Sequence, residues 1–387
     1  MVAEFYPRAA DPVLGVWAHR QALAARDAGA DVRVLVLHRP IPPRAALRAR
    51  DVGALVAPAR QPRHAVLDGL EVRYVRYLSP PRPRWYAGWG AWAARPLARA
   101  LRSLRREFPF DLVHAHYAVP AGDAVRRAAP RAPLVVSAHG GDVLAVAGSG
   151  ERGRRAVSGA LAHARLVLAN SAGTAERCLA LGARTTRVVH LGTDLPPPRA
   201  GDGRHDPPTL VTVGHLIARK RHADVVRALA TLAARHPALR YVVVGDGPER
   251  EPIAELARRL GVEERVELRG QLPPAEAAEV CRKATAFVMP STDEAFGVAY
   301  VEAMASEVPA IGCSGEWGPE EIAAAGDGMR LVPCGDVEAV AGAIERLLAH
   351  PAEREALGRA ARATVERAFT WERCGRDTVA AYQAALR

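Results

Sequence analysis

The sequence predicts an α/β fold of two doubly wound parallel sheets that face each other across a cleft. Short apolar runs alternate with segments of helical period along the first half of the 387 residues, and the same alternation restarts at Thr209. Between the two series lies a stretch rich in Pro, Gly and charge that is too polar to be buried. Because ligands of doubly wound sheets bind outside the carboxyl ends of the strands, we expect the functional site in the cleft.

The predicted strands are short runs of aliphatic residues bounded by turn residues. In the first half they are Val32–Leu37, Val72–Tyr77, Leu112–His114, Leu134–Ala138, Leu166–Asn170 and Val188–Leu191. In the second half they are Thr209–Val213, Tyr241–Val244, Arg265–Leu268, Ala286–Met289, Ala310–Ile311 and Met329–Val332. The predicted helices are Val16–Ala28, Gly159–Ala164, His222–His236, Glu249–Leu260, Pro274–Lys283, Ala299–Ser306, Asp336–Ala349 and Pro351–Ala368. Only Val2–Tyr6 precedes Pro7, so we expect a short first strand.

Changes in composition give the domain boundaries. We predict an N-terminal domain at 1–192 that binds the acceptor of a transfer reaction, a linker at 193–208, and a C-terminal domain at 209–368. A final helix at 369–387 could pack back on the first domain. With 49% hydrophobic and 25% charged residues, the chain has the composition of a globular protein.

Composition also narrows the function classes. The formal charge of +11 would suit nucleic acid, but no basic stripe with interleaved aromatic residues is present, so we expect no nucleic-acid partner. Five cysteines without a CxxC pair disfavour a zinc site or a disulfide framework. No run of about 18 apolar residues and no basic-then-apolar N-terminal pattern is present, which predicts a cytoplasmic protein.

The most specific pattern is PSTDEAFGVAYVEAMASEVPAIG, residues 290–312. It predicts a strand end, a loop that holds Glu294, and a helix that holds Glu302 about one turn from its start. The amides from Phe296 to Ala299 would be free N–H groups at the helix start, which bind anionic oxygens. A carboxylate among them would accept hydrogen bonds from hydroxyl groups, as a sugar offers. The alternative is that Glu294 only caps the helix and that Glu302 is a solvated helix residue.

A second segment, VTVGHLIARKR, predicts a strand that ends at Gly214 and a basic pair just before the next helix. Lys220 is one of only two lysines in the chain, the other being Lys283. A lysine near a glycine turn and a helix start can hold a diphosphate as a point charge. A solvated basic loop is the alternative. The sequence GDGP at 245–248 lacks a third glycine and predicts a tight turn rather than a dinucleotide loop.

A third segment, VVSAHGGDV, predicts a buried strand that places His139 at its carboxyl end. His139 could donate a hydrogen bond or take part in proton transfer, or it could be a satisfied histidine at a strand end. Asp142 follows one turn later. His114 and His116 share one face of another strand end, where we favour packing and polar contacts over a metal pair because no third ligand has suitable spacing.

Three tryptophans, Trp85, Trp89 and Trp92, have the spacing of one helical face and precede five arginines. Aromatic residues on one side with arginines nearby suit a helix in a membrane interface or beside a polyhydroxylated ligand. Packing of the tryptophans into the core is an equally good explanation. The segment 85–106 is therefore a candidate for peripheral contact with the inner face of the membrane.

Together these motifs resemble the large family of retaining glycosyltransferases with two facing Rossmann-like domains, the GT-B fold of family 4. The similarity covers nearly the whole chain. The combination of motifs is specific to the family, although no single motif is. The matching pieces are FYP then Gly15, HAH at 114–116, HGGD at 139–142, NS at 170–171, GTD at 192–194, VGHL…RK at 213–220, VVGDGPE at 243–249 and the Glu294/Glu302 segment.

The resemblance implies a UDP-sugar as co-substrate, held mainly by the C-terminal domain, with no metal or other cofactor. Lys220 would bind the diphosphate and Glu302 the ribose hydroxyls. The donor sugar would be bound by Glu294 and by the backbone at Phe296, Gly297 and Val298. His215 stands where many relatives have arginine, and Arg219 could replace that contact. Gly15 would leave room for phosphate, and the implied catalytic residues are His139, Lys220 and Glu294.

The implied reaction moves a hexose or N-acetylhexosamine from UDP-glucose or UDP-GlcNAc to a hydroxyl group with retention of configuration. The N-terminal pattern FYPR…DP…GVW is similar to the N-terminal sequences of actinobacterial transferases of aminoglycoside biosynthesis. This similarity suggests an aminocyclitol acceptor such as 2-deoxystreptamine. Acceptor contacts would then come from Asp11, His116 and Asp142, with Glu4 as a further carboxylate. The alternatives are assembly of a surface polysaccharide or glycolipid, a GDP-sugar donor, and a nucleotide-sugar epimerase of the same fold.

Overall fold

A computed structural model describes residues 1–42, 51–82, 84–198 and 207–387. The chain divides into two compact units. The first unit contains Met1–Leu191 and Trp371–Arg387, and the second unit contains Gly192–Thr370. Residues 199–206 of the predicted linker lie outside the described residues.

The first unit is built on an eight-stranded sheet. Its strands are β1 (Val2–Ala3), β2 (Val34–His38), β3 (His64–Leu67), β4 (Leu70–Arg76), β5 (Val113–His116), β6 (Leu134–Ala138), β7 (Leu166–Ala169) and β8 (Thr186–Val188). They are ordered β3-β4-β2-β1-β5-β6-β7-β8, and only the β3–β4 pair is antiparallel. The central strand β1 is short, as expected, and lies between β2 and β5. The carboxyl ends of all the parallel strands therefore meet at one edge of this sheet.

The described helices of this unit cover both faces of the sheet. They are α1 (Val16–Asp27), α2 (Val52–Arg60), α3 (Trp89–Glu107), α4 (Asp123–Ala128), α5 (Glu151–His163) and α6 (Ala172–Ala180). Helix α3 shows why they form, because Leu97, Leu101 and Leu104 recur at helical spacing and all three are buried. The arginines of α3 occupy the remaining turns and keep the opposite face polar.

The expectation that three tryptophans share one helical face is wrong. Helix α3 begins at Trp89, so Trp85 precedes the helix. Trp89 is buried with 4% exposure and belongs to the leucine stripe, whereas Trp92 falls outside that stripe and is 54% exposed. Within the described residues, no helix combines the length and the apolarity needed to cross a membrane. Core packing thus accounts for Trp89 and not for Trp85 or Trp92.

The second unit is built on a six-stranded, fully parallel sheet. Its strands are β9 (Thr209–Val213), β10 (Arg240–Val244), β11 (Val266–Gly270), β12 (Ala286–Val288), β13 (Ala310–Cys313) and β14 (Met329–Val332), in the order β11-β10-β9-β12-β13-β14. The helices are α7 (His222–Leu232), α8 (Arg250–Arg259), α9 (Pro274–Arg282), α10 (Val298–Ala305), α11 (Trp317–Ala325), α12 (Val337–Ala349) and α13 (Pro351–Ala368). The predicted α/β class with two doubly wound parallel sheets is confirmed.

The last helix, α14 (Trp371–Leu386), returns to the first unit and packs against α1. Gln21 Nε2 donates a hydrogen bond of 3.0 Å to Oγ1 of Thr378. A Cβ at Gly375 would lie 2.1 Å from the carbonyl oxygen of Ala24, so only glycine allows this approach of the two backbones.

Candidate functional site

Two neighbouring strand ends of the second unit bring Lys220 and Glu294 into contact. Lys220 lies in the turn between β9 and α7, and Glu294 lies in the loop between β12 and α10. Because β9 and β12 are adjacent strands, residues 74 positions apart meet at the carboxyl edge of the sheet. Lys220 Nζ is 2.5 Å from Glu294 Oε2, and the two side chains are 11% and 9% exposed.

The two oxygens of Glu294 have different surroundings. Oε2 also accepts a hydrogen bond of 3.1 Å from Ser291 Oγ and lies 3.5 Å from Arg219 Nη1, whereas Oε1 has no such partner among the described residues. Burial acts to raise the pKa of Glu294, but the charge and hydrogen bond of Lys220, followed by Arg219, hold this pKa below its usual value. The site therefore contains an ionised carboxylate whose Oε1 can accept a hydrogen bond from a ligand.

The start of α10 has no side-chain cap. Gly297 precedes the helix with φ of 90°, and no side chain accepts from the first amides, so the alternative in which Glu294 caps α10 is wrong. A Cβ at position 297 would lie 2.4 Å from the Tyr300 ring, which makes glycine necessary there. Phe296 is 1% exposed and packs against Phe369, so only its backbone can face a ligand. The first turn of α10 therefore keeps amide donors for an anion.

Three other residues predicted to bind the sugar donor are Val298, Glu302 and His215. Val298 is the first residue of α10 and is partly exposed, and Glu302 lies one turn further with an exposed side chain. His215 is exposed and lines a separate cavity of about 590 Å³ together with Asp246 and Gln271. The structure therefore brings Arg219, Lys220 and Glu294 into contact.

The GDGP segment forms the tight turn that the sequence predicts. A Cβ at Gly245 would lie 2.0 Å from the carbonyl oxygen of Gly214, and a Cβ at Gly247 would lie 2.4 Å from that of Leu216. The glycines are therefore required by the packing of two backbone loops, which in turn fixes the path of the chain from Gly214 towards Lys220.

In the first unit, His139 follows β6 and is surrounded by rings. Its Nε2 is 3.1 Å from Nδ1 of His116, and the two rings are stacked with an interplanar angle of 12°. Trp17 packs against the His139 ring with a centroid distance of 4.4 Å, and Tyr117 lies at 5.1 Å. Desolvation by burial lowers the pKa of His139 to about 3. His139 is therefore a neutral imidazole that suits a hydrogen bond rather than a positive charge.

Two predicted acceptor residues have structural partners instead. Asp142 is completely buried, and its carboxylate accepts hydrogen bonds from the amides of Ala118 at 2.8 Å, His139 at 3.2 Å and Val143 at 3.1 Å. His116 is only 1% exposed and lies behind His139. Both residues contact His139, and their burial separates them from solvent.

Gly15 and Asp11 lie before α1. Gly15 has φ of 65°, and a Cβ there would lie 2.2 Å from the carbonyl carbon of Phe5, so glycine is required for this close approach. Because Trp17 packs against His139, the start of α1 lies beside the end of β6. Asp11 is partly exposed and lines a cavity of the first unit.

Several residues of these clusters escape sequence reasoning. Ser291 and Tyr300 hold the Glu294 loop, with Tyr300 donating to the carbonyl of Met289. Glu316 anchors the same loop by accepting from the amide of Glu294 at 2.9 Å. Trp17 offers one signal, since it follows Gly15 by two residues, but a serine, a tyrosine and a distant glutamate show no periodicity or spacing that marks them.

The buried histidines His114 and His116 should make the first unit sensitive to acid. Burial lowers the pKa of both well below the usual value, so the folded state binds fewer protons than the unfolded state. Their stabilising contribution is complete above pH 6.5 and is lost as the pH falls below it, by up to about 2 kcal/mol for each histidine at pH 5.

Denaturant unfolding between pH 7.5 and pH 5 checks this expectation. Tryptophan fluorescence reports on the first unit because Trp317 is the only tryptophan outside it. His114→Gln should flatten the pH dependence of the free energy of unfolding, while the exposed His163→Gln should leave it unchanged. Equal slopes for wild type and His114→Gln would contradict the assignment.

Comparison with known proteins finds matches along most of the chain. A family model described as Glycosyltransferase Family 4 matches residues 14–197, and one described as Glycosyl transferases group 1 matches residues 199–364. The D-inositol 3-phosphate glycosyltransferase 1 of Catenulispora acidiphila is 32% identical over 365 residues, which cover 85% of this chain and 84% of that protein. The chain spans only 15%, 47% and 56% of the length of three further curated relatives.

Solved structures show the same fold. Sucrose-phosphate synthase from Thermosynechococcus elongatus has a TM-score of 0.77 at 21% identity, over 95% of this chain and 92% of that one. Anabaena Alr3699/HepE, in complex with UDP and glucose, has a TM-score of 0.74 at 19% identity, over 99% of both chains. The two sheets of this chain therefore have the GT-B architecture.

Proposed function

The chain belongs to the glycosyltransferases of group 1 and family 4, and on that premise we propose that it transfers a hexosyl group from a UDP-sugar to a hydroxyl group with retention of configuration. The observation that carries the proposal is the contact of Lys220 with Glu294 beside the uncapped start of α10. UDP and glucose in the Anabaena neighbour support a UDP-sugar as the donor.

In this proposal the second unit binds the donor. Lys220 and Arg219 neutralise the diphosphate, and the first amides of α10 donate to its oxygens. Glu294 remains ionised and accepts from a hydroxyl of the donor sugar through Oε1, while Glu302 binds the ribose hydroxyls. His139 of the first unit stays a predicted catalytic residue that would act as a neutral hydrogen-bonding group. Lys220 and Arg219 would supply the positive charge that other transferases take from a metal ion.

Retention would proceed by attack on the same face from which the diphosphate leaves. The bond between the anomeric carbon and the β-phosphate oxygen breaks, and the acceptor oxygen forms the new bond to that carbon. The acceptor proton passes to the departing phosphate oxygen. Lys220 stabilises the charge that develops on the diphosphate, which is the largest effect the site can exert on the reaction rate.

An aminocyclitol acceptor such as 2-deoxystreptamine remains a sequence-based prediction. It needs carboxylates that face a cationic ligand, yet Asp142 is engaged by three amides and Glu4 is paired with Arg82. Of the carboxylates proposed to contact the acceptor, only Asp11 is not engaged in this way. This observation favours the other acceptor class, the precursors of surface polysaccharides or glycolipids.

Donor turnover tests the proposed function. We expect release of UDP from UDP-glucose or UDP-GlcNAc only in the presence of an acceptor, and a product whose anomeric proton shows the α configuration of the donor by NMR. GDP-mannose serves as the comparison donor. Conversion of the UDP-sugar to its epimer without acceptor would instead establish the epimerase alternative, and a β-linked product would contradict retention.

A further inference from the structure

A cavity of about 1190 Å³ lies in the first unit at the carboxyl ends of β1, β2 and β4. Apolar residues of the lining include Ile41 and, from α2, Ala54 and Ala57. The lining also includes three arginines, Arg8, Arg39 and Arg82. The cavity therefore combines a surface for carbon atoms with a concentration of positive charge, a pattern typical of a specific binding site.

The guanidinium groups exceed the carboxylates that could neutralise them. Arg82 Nη2 is paired with Glu4 Oε1 at 2.6 Å, and Tyr86 donates to the other oxygen of Glu4, also at 2.6 Å. Arg8 donates to the carbonyl of Glu4 and Arg39 to the carbonyl of Ser79. Neither of these two arginines forms an ion pair with a carboxylate of the described residues.

The remaining titratable lining residues do not reverse this balance. Among the described residues of the lining, Asp11 is the only other carboxylate, so three guanidinium groups stand against two carboxylates. Burial lowers the pKa of His38, so this ring is neutral near pH 7. The cavity thus keeps a net positive charge when Glu4 and Asp11 are both ionised.

Four residues of the cavity lining also hold a buried polar atom without a protein partner. Within the described residues these atoms are Arg8 Nε, His38 Nδ1, Tyr77 OH and Ser79 Oγ. Tyr77 is 3% and Ser79 is 7% exposed, so these hydroxyl groups are held away from bulk solvent. Unpaired buried donors are unfavourable unless a ligand satisfies them, and donors beside guanidinium groups match the oxygens of an anion.

We propose that this cavity binds the acceptor of the transfer reaction and that the acceptor carries an anionic group, a phosphate or a carboxylate, on a polyhydroxylated or lipid body. This inference rests on the proposed function and names its substrate class. Arg8 and Arg39 pair with the anion, and the apolar residues of the lining contact the carbon skeleton.

The cavity is connected to His139 by a series of ring contacts within the first unit. The guanidinium of Arg82 lies 5.5 Å from the Phe5 ring, Phe5 lies 5.2 Å from Tyr117, and Tyr117 lies 5.1 Å from His139. The cavity and His139 are therefore linked by one continuous set of side-chain contacts at the carboxyl edge of the same sheet.

Three cyclitols of different charge test the inference by calorimetry in the presence of saturating UDP. The probes are D-inositol 3-phosphate, neutral myo-inositol and cationic 2-deoxystreptamine. We expect the phosphate to bind at least tenfold more tightly than myo-inositol, with an affinity that falls as salt increases. Equal binding of the neutral ring, tighter binding of the cation, or no binding of any anionic probe would overturn the inference.

Charge-neutralising variants identify the groups responsible. Arg39→Gln and Arg8→Gln should each weaken binding of the phosphate at least tenfold and leave myo-inositol unaffected, and Arg39→Lys should retain part of the affinity. Arg154→Gln is the matched control, because it removes the same charge from an exposed position on α5. Tryptophan fluorescence, which reports mainly on the first unit, shows that each variant is folded. An unchanged affinity in both glutamine variants would contradict the assignment.

Vesicles that contain phosphatidylinositol separate the two sources of the anion. Arginine-dependent binding to these vesicles but not to free D-inositol 3-phosphate would indicate a lipid acceptor, and the opposite result a soluble one; either supports the anionic class. The binding data do not depend on turnover. Binding of the anion without release of UDP from any donor would contradict the proposed function. Transfer to neutral acceptors that does not depend on the arginines would contradict only this inference.

Discussion

Replacing Lys220 by methionine should reduce kcat/KM for sugar transfer by about 100- to 1,000-fold. Methionine keeps most of the volume of lysine but removes the charge that lies 2.5 Å from Glu294. The diphosphate then leaves without its cation, and Glu294 keeps only the longer contact with Arg219 at 3.5 Å. Steady-state kinetics with the UDP-sugar found to be active would measure the loss.

The chain provides a matched control for this experiment in its other lysine. Lys283 is 74% exposed and pairs with Glu279 at 3.2 Å, so Lys283→Met makes the same substitution outside the site and should leave kcat/KM unchanged. Near-normal turnover by Lys220→Met would remove the proposed donor site.

Pairing Lys220→Met with Glu294→Gln separates catalysis from folding. Lys220→Met alone leaves a buried carboxylate without its main partner, which is strongly unfavourable, whereas the double variant removes both charges. We expect the double variant to regain much of the stability that the single variant loses and to remain inactive.

Asp142→Ala should destabilise the first unit by about 3 kcal/mol, because it leaves three buried amides without an acceptor. Activity should fall as well, since one of those amides belongs to His139 and holds that residue at the end of β6. Denaturant unfolding followed by tryptophan fluorescence measures the first effect. UDP binding by the second unit should be unaffected.

An exposed aspartate distinguishes this role from a general effect of charge. Asp111→Ala removes a carboxylate from the surface of the same unit and should change the free energy of unfolding by less than about 0.5 kcal/mol. If Asp142→Ala were no more destabilising than Asp111→Ala, the three hydrogen bonds could not have the importance assigned to them.

The contact of Lys220 with Glu294 could be anticipated from the sequence because both residues follow strands. Parallel strands deliver their next residues to one edge, so the order of strands decides which loops meet. The partners of Asp142 and His116 could not be anticipated in this way. The sequence shows that a side chain has the chemistry to bind a ligand. Only the structure shows that backbone amides or a neighbouring ring already contact that side chain.

The fold was predictable where periodicity is strong and not where it is weak. The antiparallel strand β3 was missed because its HAVL is short and lies on the sheet edge, where burial does not demand an apolar run. Helix α11 was missed because Gly318 and Pro319 suggest a turn, although proline is tolerated in the first turn of a helix. The strand expected at Val188–Leu191 is instead β8, since pairing with β7 begins at the polar Thr186.

The return of α14 to the first unit makes the second unit a continuous insertion in the first. Residues 192–370 could be expressed as one uninterrupted fragment, but a fragment that stops at Leu191 would lack the helix that covers α1 and would lose the 2.7 Å contact of His114 with Tyr382. An excised first unit would need a short peptide joining Leu191 to Trp371.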